Sequence, residues 1–303
     1  MRIISFFFFW WVIAFQLYAQ APVTNLYMFD LRRQGDTLFQ FVKPRYLTYF
    51  NANGYNNHPF FASADEVFFS SQNPLDEQPD IVRISLRDSS LTKLTNTYEG
   101  EYSPRKPYFE FSNYYIVRME FLGQDTLIRL WQVSNSGFGA TGSHPVFQNY
   151  TNVGYYEFIT PRLVALHLND TPNTLALGIP ETDNVTPIAY QVGRCFRLLP
   201  FTNNLIYLQK SSTGEKPMLM SIDLRNSAKR PPAVPLVESV ANSEDFALLN
   251  DGTILMAAGS KLYKFKPKAD RTWVQIADFA EHNLTKITRL EVNRENNRII
   301  LVN

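Results

Sequence analysis

The residues able to do chemistry in this chain sit on short strands that open with glycine or a small polar residue. In order they are His58, Glu101, Tyr155 or Tyr156 (Tyr156 the one taken as the site residue), Arg194, Glu244 with Asp245, and Arg289. Charged side chains on strands otherwise built of Phe, Tyr, Leu and Val need a reason beyond packing, because burying an unpaired charge is costly. Two carboxyls held about 5 to 10 Å apart would suit glycoside chemistry, and Glu101 and Glu244 are the pair to consider for a glycosidase or a lyase. Two arginines facing three acids would equally suit a network of ion pairs, or recognition of a small polar ligand.

Other constellations carry less. A G-x-G-x-x-G occurs at Gly137, Gly139 and Gly142, but a dinucleotide site needs a helix after that turn, and Ser143-His144-Pro145-Val146 has no helical period. The histidines His58, His144, His167 and His282 lack metal-ligand spacing, and Cys195 is the single cysteine, so no metal and no cofactor is expected. Cys195 lies between Val192, Phe196 and Leu198 and reads as a buried, inert thiol. No G-x-S-x-G is present for a hydrolase elbow.

The elements that must position these residues follow an all-β rhythm. Runs of Val, Ile, Phe, Tyr and Leu alternate with Asn, Asp, Gly, Ser and Pro at intervals of about ten residues. The opening strand recurs as GYNNHPFF from Gly54, GEYSPRKPYFEF from Gly100, VGYYEFIT from Val153, VGRCFRLLP from Val192, SEDFALLN from Ser243 and ITRLEVN from Ile287. These starts lie about 40 to 50 residues apart, the period of a four-stranded propeller blade. Each is followed by an apolar strand, such as EVFFSS from Glu66 and RIILVN from Arg298. The last repeat stops after two strands, and NLYMFDL from Asn25 with DTLFQFV from Asp36 supplies the missing pair. The expected fold is therefore an all-β, six-bladed propeller whose amino-terminal strands complete the last blade and close the ring. A β-sandwich explains the strands but neither the spacing nor the two half-blades.

YLTYFNANGYNNHPFF from Tyr46, LTNTYEGEYSP (Leu94 to Pro104), SEDFALLNDGTILMAAGSKLYKF from Ser243 and KITRLEVNRENNRIILV near the end together resemble the TolB-type six-bladed propellers of exported bacterial proteins. Two departures stand out. TolB carries an α/β domain before its propeller, for which this chain has no room. The Asp-Gly turn at Asp251-Gly252 becomes Glu295-Asn296-Asn297 in the last blade. The resemblance implies a propeller fold, an envelope location and a binding or scaffolding role, with no particular partner.

Met1-Arg2, the apolar run Ile3 to Phe15 and the small residue Ala19 read as a signal peptide over residues 1–19, followed by one domain over 20–303. Ile3 to Tyr18 as a helix reaches about 24 Å at roughly 1.5 Å per residue, short of the ~30 Å hydrocarbon core, so no membrane span is expected after cleavage. A net charge of +1 gives no electrostatic footprint for nucleic acid. The expected location is periplasmic or secreted. The leading expectation is a non-catalytic module that holds another envelope protein. A binder of a small polar ligand or glycan in the central funnel comes next, ahead of a carboxylate-dependent enzyme. Tyr98, Tyr102, Tyr114 and Tyr150 near loops are candidates for a sugar- or protein-binding surface.

Overall fold

Runs that are apolar at every position, rather than at alternate ones, mark strands covered on both faces. ILMAA and RIILV are of this kind, and both are almost entirely buried. The computed structural model describes residues 21–135, 143–225, 232–240 and 243–303, and these runs are the second strands of its blades. The first two strands are β1 (Leu26–Gln34) and β2 (Leu38–Tyr46). Four strands then form each successive sheet: β3 (Tyr55–Ser63), β4 (Glu66–Gln72), β5 (Asp80–Ser85) and β6 (Leu91–Lys93) make the first. The second is β7 (Gly100–Arg105), β8 (Asn113–Leu122), β9 (Asp125–Ser134) and β10 (His144–Pro145). The third is β11 (Val153–Thr160), β12 (Leu163–Leu168), β13 (Thr174–Ile179) and β14 (Asn184–Tyr190). The fourth is β15 (Val192–Leu198), β16 (Asn204–Gln209), β17 (Met218–Asp223) and β18 (Ala233–Glu238). The fifth is β19 (Phe246–Leu248), β20 (Ile254–Ala258), β21 (Lys261–Phe265) and β22 (Val274–Asp278). The chain finishes with β23 (Arg289–Val292) and β24 (Arg298–Val302).

The sixth sheet has the order β2-β1-β24-β23. Leu26 pairs with Val302 and Asp30 with Arg298, and Asn25 and Asn303 exchange backbone hydrogen bonds of 2.8 and 3.0 Å. The amino-terminal pair thus completes the last blade and closes a six-bladed β-propeller, as the two half-blades in the sequence require. The period-two alternation of β1 splits its side chains between two neighbours. Phe29 and Leu31 join a core with Leu255 and Phe279 of the fifth blade. Leu26 and Met28 pack instead with Phe61, Val67 and Phe69 of the first. Outermost strands are more exposed and tolerate Pro187 and Pro235, since an edge strand has donors to spare.

Two sequence readings fall outside the described residues: the signal peptide expected over residues 1–19, and the glycines Gly137, Gly139 and Gly142. Among the described residues no helix is long and apolar enough to cross a membrane.

Candidate functional site: the axial channel

The opening strands β3, β7, β11, β15, β19 and β23 are innermost, and several are bulged there. Asn57 pairs with Ser70 and Phe60 with Phe68, so three steps along β3 match two along β4. β7 repeats this between Tyr102 and Arg105. The extra residues are His58 and Ser103, each at φ 53° and each followed by a proline that cannot donate to the ladder. Such bulges re-aim the side chains beside them.

The result is two layers of side chains across the axis. In the first, the His58 ring lies 6.0 Å from Tyr102 and 6.1 Å from Tyr155, and its Nδ1 is 3.4 Å from the Tyr55 hydroxyl. Burial, with Arg289, Arg194 and Arg105 nearby, holds His58 well below the usual histidine range, so it is neutral. Arg289 crosses the ring to donate to the Tyr155 hydroxyl at 2.9 Å and meets Asp245 at 3.3 Å. Arg194 donates to the Thr288 carbonyl at 3.0 Å.

The second layer is a chain of charge. Arg105 lies 3.8 Å from Glu157 and 3.9 Å from Glu291, and Arg197 lies 3.4 Å from Glu291. Burial pushes the Glu291 carboxyl up, while Arg105 and Arg197 pull it back. These pairs join the second, third, fourth and sixth blades and narrow the axial cavity to about 40 Å³.

The structure brings His58, Tyr155, Tyr156, Arg194, Asp245 and Arg289 to this cavity. Tyr156 is buried among the second and third blades and donates to the Ser103 carbonyl at 3.0 Å. Two expected members are elsewhere. Glu101 precedes the β7 bulge and turns into the seam between the first two blades. There it accepts from Thr97 and from Thr95 at 3.3 Å, with Arg118 at 3.8 Å. Glu244 lies before the start of β19 and pairs with Lys210 at 2.6 Å. The two carboxyls share no cleft, which removes the pair considered for hydrolysis or elimination.

Four channel residues were missed: Arg105, Glu157, Arg197 and Glu291. Glu157 and Glu291 stand two residues after Tyr155 and Arg289, so strand alternation was a usable signal for both. Arg105 and Arg197 follow register shifts, where that parity fails. Cys195 is buried, and burial pushes its thiol up to about 12, as an inert core thiol should behave. His167 is likewise buried. Among the described residues no three His, Cys, Asp or Glu side chains are grouped to hold a metal ion.

Glu101 gives a pH prediction. Burial is the main cause that lifts its carboxyl from 4.5 to about 8, Asp80 adding to it against Thr97 and Arg118. Folding therefore takes up a proton between those values. The stability so gained is complete below about pH 4.5 and is lost as pH rises through 8. Urea unfolding midpoints measured from pH 5 to 9 should fall with pH, and Glu101→Gln should flatten the slope. An unchanged slope in that variant would refute the assignment.

No known protein-family pattern matches the chain, and no curated protein matches it by sequence. Solved structures do. A TolB-type chain from Agrobacterium tumefaciens superposes with a TM-score of 0.64 at 9% identity, covering 92% of this chain and 97% of that one. TolB from Acinetobacter baumannii gives 0.56 at 8% identity, covering 92% of this chain and 64% of that one. The fold is that of a TolB-like propeller. A chain of a nidogen/laminin complex matches this TolB-like propeller as well, with a TM-score of 0.63, 12% identity and coverage of 92% and 98%. At such identities the likeness carries the fold alone, which hosts many functions. Here the channel's own side chains narrow it to a cavity of about 40 Å³, too small for a sugar or a segment of another protein.

Proposed function

We propose that this TolB-like propeller is an exported, non-catalytic module that binds another protein in the cell envelope, in the periplasm or as a secreted chain. The observation that carries the reading is a set of exposed side chains at the end of the ring where the opening strands begin. Leu75 is 96% exposed, Tyr98 90% and Tyr49 65%. They stand on adjoining loops. Asn51 donates to the Gln72 carbonyl at 3.2 Å, and Gln72 donates to the Asp76 carbonyl at 2.9 Å. Glu101 donates its backbone N–H to the Pro79 carbonyl at 2.9 Å, which ties in the strand after Tyr98. Tyrosine beside apolar residues on one face is the composition of a protein interface. The amino-terminal run from Met1 to Ala19 supports export.

In-cell crosslinking of the tagged chain in its native envelope, read by mass spectrometry, is the test. A dominant protein partner is expected, with its yield reduced at least about tenfold in Leu75→Asp/Tyr98→Asp, since a central anchor is worth more than about 1.4 kcal/mol. Capture at the unsubstituted level by that variant would sink the reading.

A second reading rests on the opposite end. A recess of about 400 Å³ there is lined by Phe60, Phe158, Tyr108, Arg105, Lys106 and Arg294. Its size and its mix of aromatic and charged groups suit a glycan or a small polar ligand. Glycan binding that Tyr108→Ala removes and Leu75→Asp/Tyr98→Asp spares would favour this reading over the first.

A further inference from the structure

The charges around the axial cavity do not balance. Each of three arginines has a carboxylate against it: Arg105 has Glu157 and Glu291, Arg197 has Glu291, and Arg289 has Asp245. Arg194, which lines the same cavity, has none among the described residues. Its Nη2 meets only the Thr288 carbonyl, and its Nε is sealed from solvent with no hydrogen-bond partner. Ser103 lines the cavity too, and its hydroxyl is also buried without a partner among the described residues. Four guanidiniums thus line the cavity with two carboxylates, Asp245 and Glu291, while Glu157 stands behind Arg105, and the surplus positive charge includes the residue whose donor is unused. The neighbouring His58 offers no negative charge.

We propose that the axial cavity is a binding site for one small monovalent anion of the halide type, held by Arg194 Nε–H and the Ser103 hydroxyl. Arg194 is half-buried, but its sealed Nε–H leaves a donor of a charged group unused, and charge-assisted hydrogen bonds from such a donor are the strong ones. A water molecule satisfies both donors but leaves the charge unbalanced. An anion does both. The volume agrees: about 40 Å³ holds a few water-sized occupants at roughly 10 to 15 Å³ each, which admits a halide and excludes a sugar or a nucleotide. The site lies where second-layer and first-layer side chains from opposite blades meet. An anion there stabilises the closed ring and is independent of the end faces considered for a protein partner.

Two measurements on the full folded chain test this. Crystals grown or soaked in sodium bromide should show an anomalous peak on the axis within hydrogen-bond distance of Arg194 Nε and Ser103 Oγ. Bromide found only on surface lysines and arginines, with water on the axis, overturns the site. Thermal melting in sodium chloride or bromide should exceed that in sodium gluconate of equal ionic strength. The gain should grow with the logarithm of halide concentration above the dissociation constant, reaching several degrees at about ten times that constant. Arg194→Met should abolish the halide increment while melting in gluconate no lower than the parent. Ser103→Ala, which keeps the arginine, should weaken the halide dependence several-fold. Equal melting in halide and gluconate for the parent chain overturns the proposal without bearing on protein binding at the loops.

Discussion

A chain that begins at Leu47, lacking β1 and β2, is expected to lose cooperative folding altogether. Removing β1 leaves the backbone edge of β24 without its ladder from Leu26↔Val302 to Asp30↔Arg298. An open edge of that kind pairs with other chains. The same deletion uncovers Ile299 to Val302, all fully buried in the closed ring, and opens the cores on both sides of the last blade. Size-exclusion chromatography and circular dichroism should show an aggregated or unfolded species with no sharp melting transition. A truncated chain that melts within a few degrees of the parent would show that the ring does not depend on this closure. The single substitution Phe29→Ala probes the same joint more gently. Phe29 is fully buried, 4.8 Å from the Phe279 ring, and its loss should cost about 3 to 5 kcal/mol.

Arg197→Met is expected to destabilise the fold by about 3 kcal/mol, the lower end of what breaking a buried pair costs. Glu291 would then lie buried with only Arg105, at 3.9 Å, to balance it. The double substitution Arg197→Met/Glu291→Met should regain most of that loss, because an apolar pair of similar volume is often as stable as a buried ion pair. Urea unfolding midpoints of the single and double variants decide the matter. If the double variant is no better than Arg197→Met alone, the layer is not held by charge pairing.

Much of this architecture was legible in the residues. The second strands of the blades are covered on both faces, so continuous apolar runs such as RIILV and ILMAA reveal them locally. Closure was legible as well, because a last repeat two strands short and an opening pair without a repeat have only each other. The channel was legible in part. Strand alternation carries Tyr155 to Glu157 and Arg289 to Glu291, and both later residues face the axis as their neighbours do.

Only the tertiary structure decided the rest. Bulges at His58 and Ser103 break the period of two, so parity does not tell that Arg105 reaches the axis while Glu101 turns into a blade seam. Glu244 and Asp245 are adjacent, yet one pairs with Lys210 at the rim and the other with Arg289 inside. The contacts that close the channel join residues far apart in sequence, such as Arg197 with Glu291 and Arg289 with Tyr155. A local pattern specifies a strand and its buried face. Which charges meet across the axis depends on how non-adjacent blades pack around the ring, and no spacing along the chain encodes that distance.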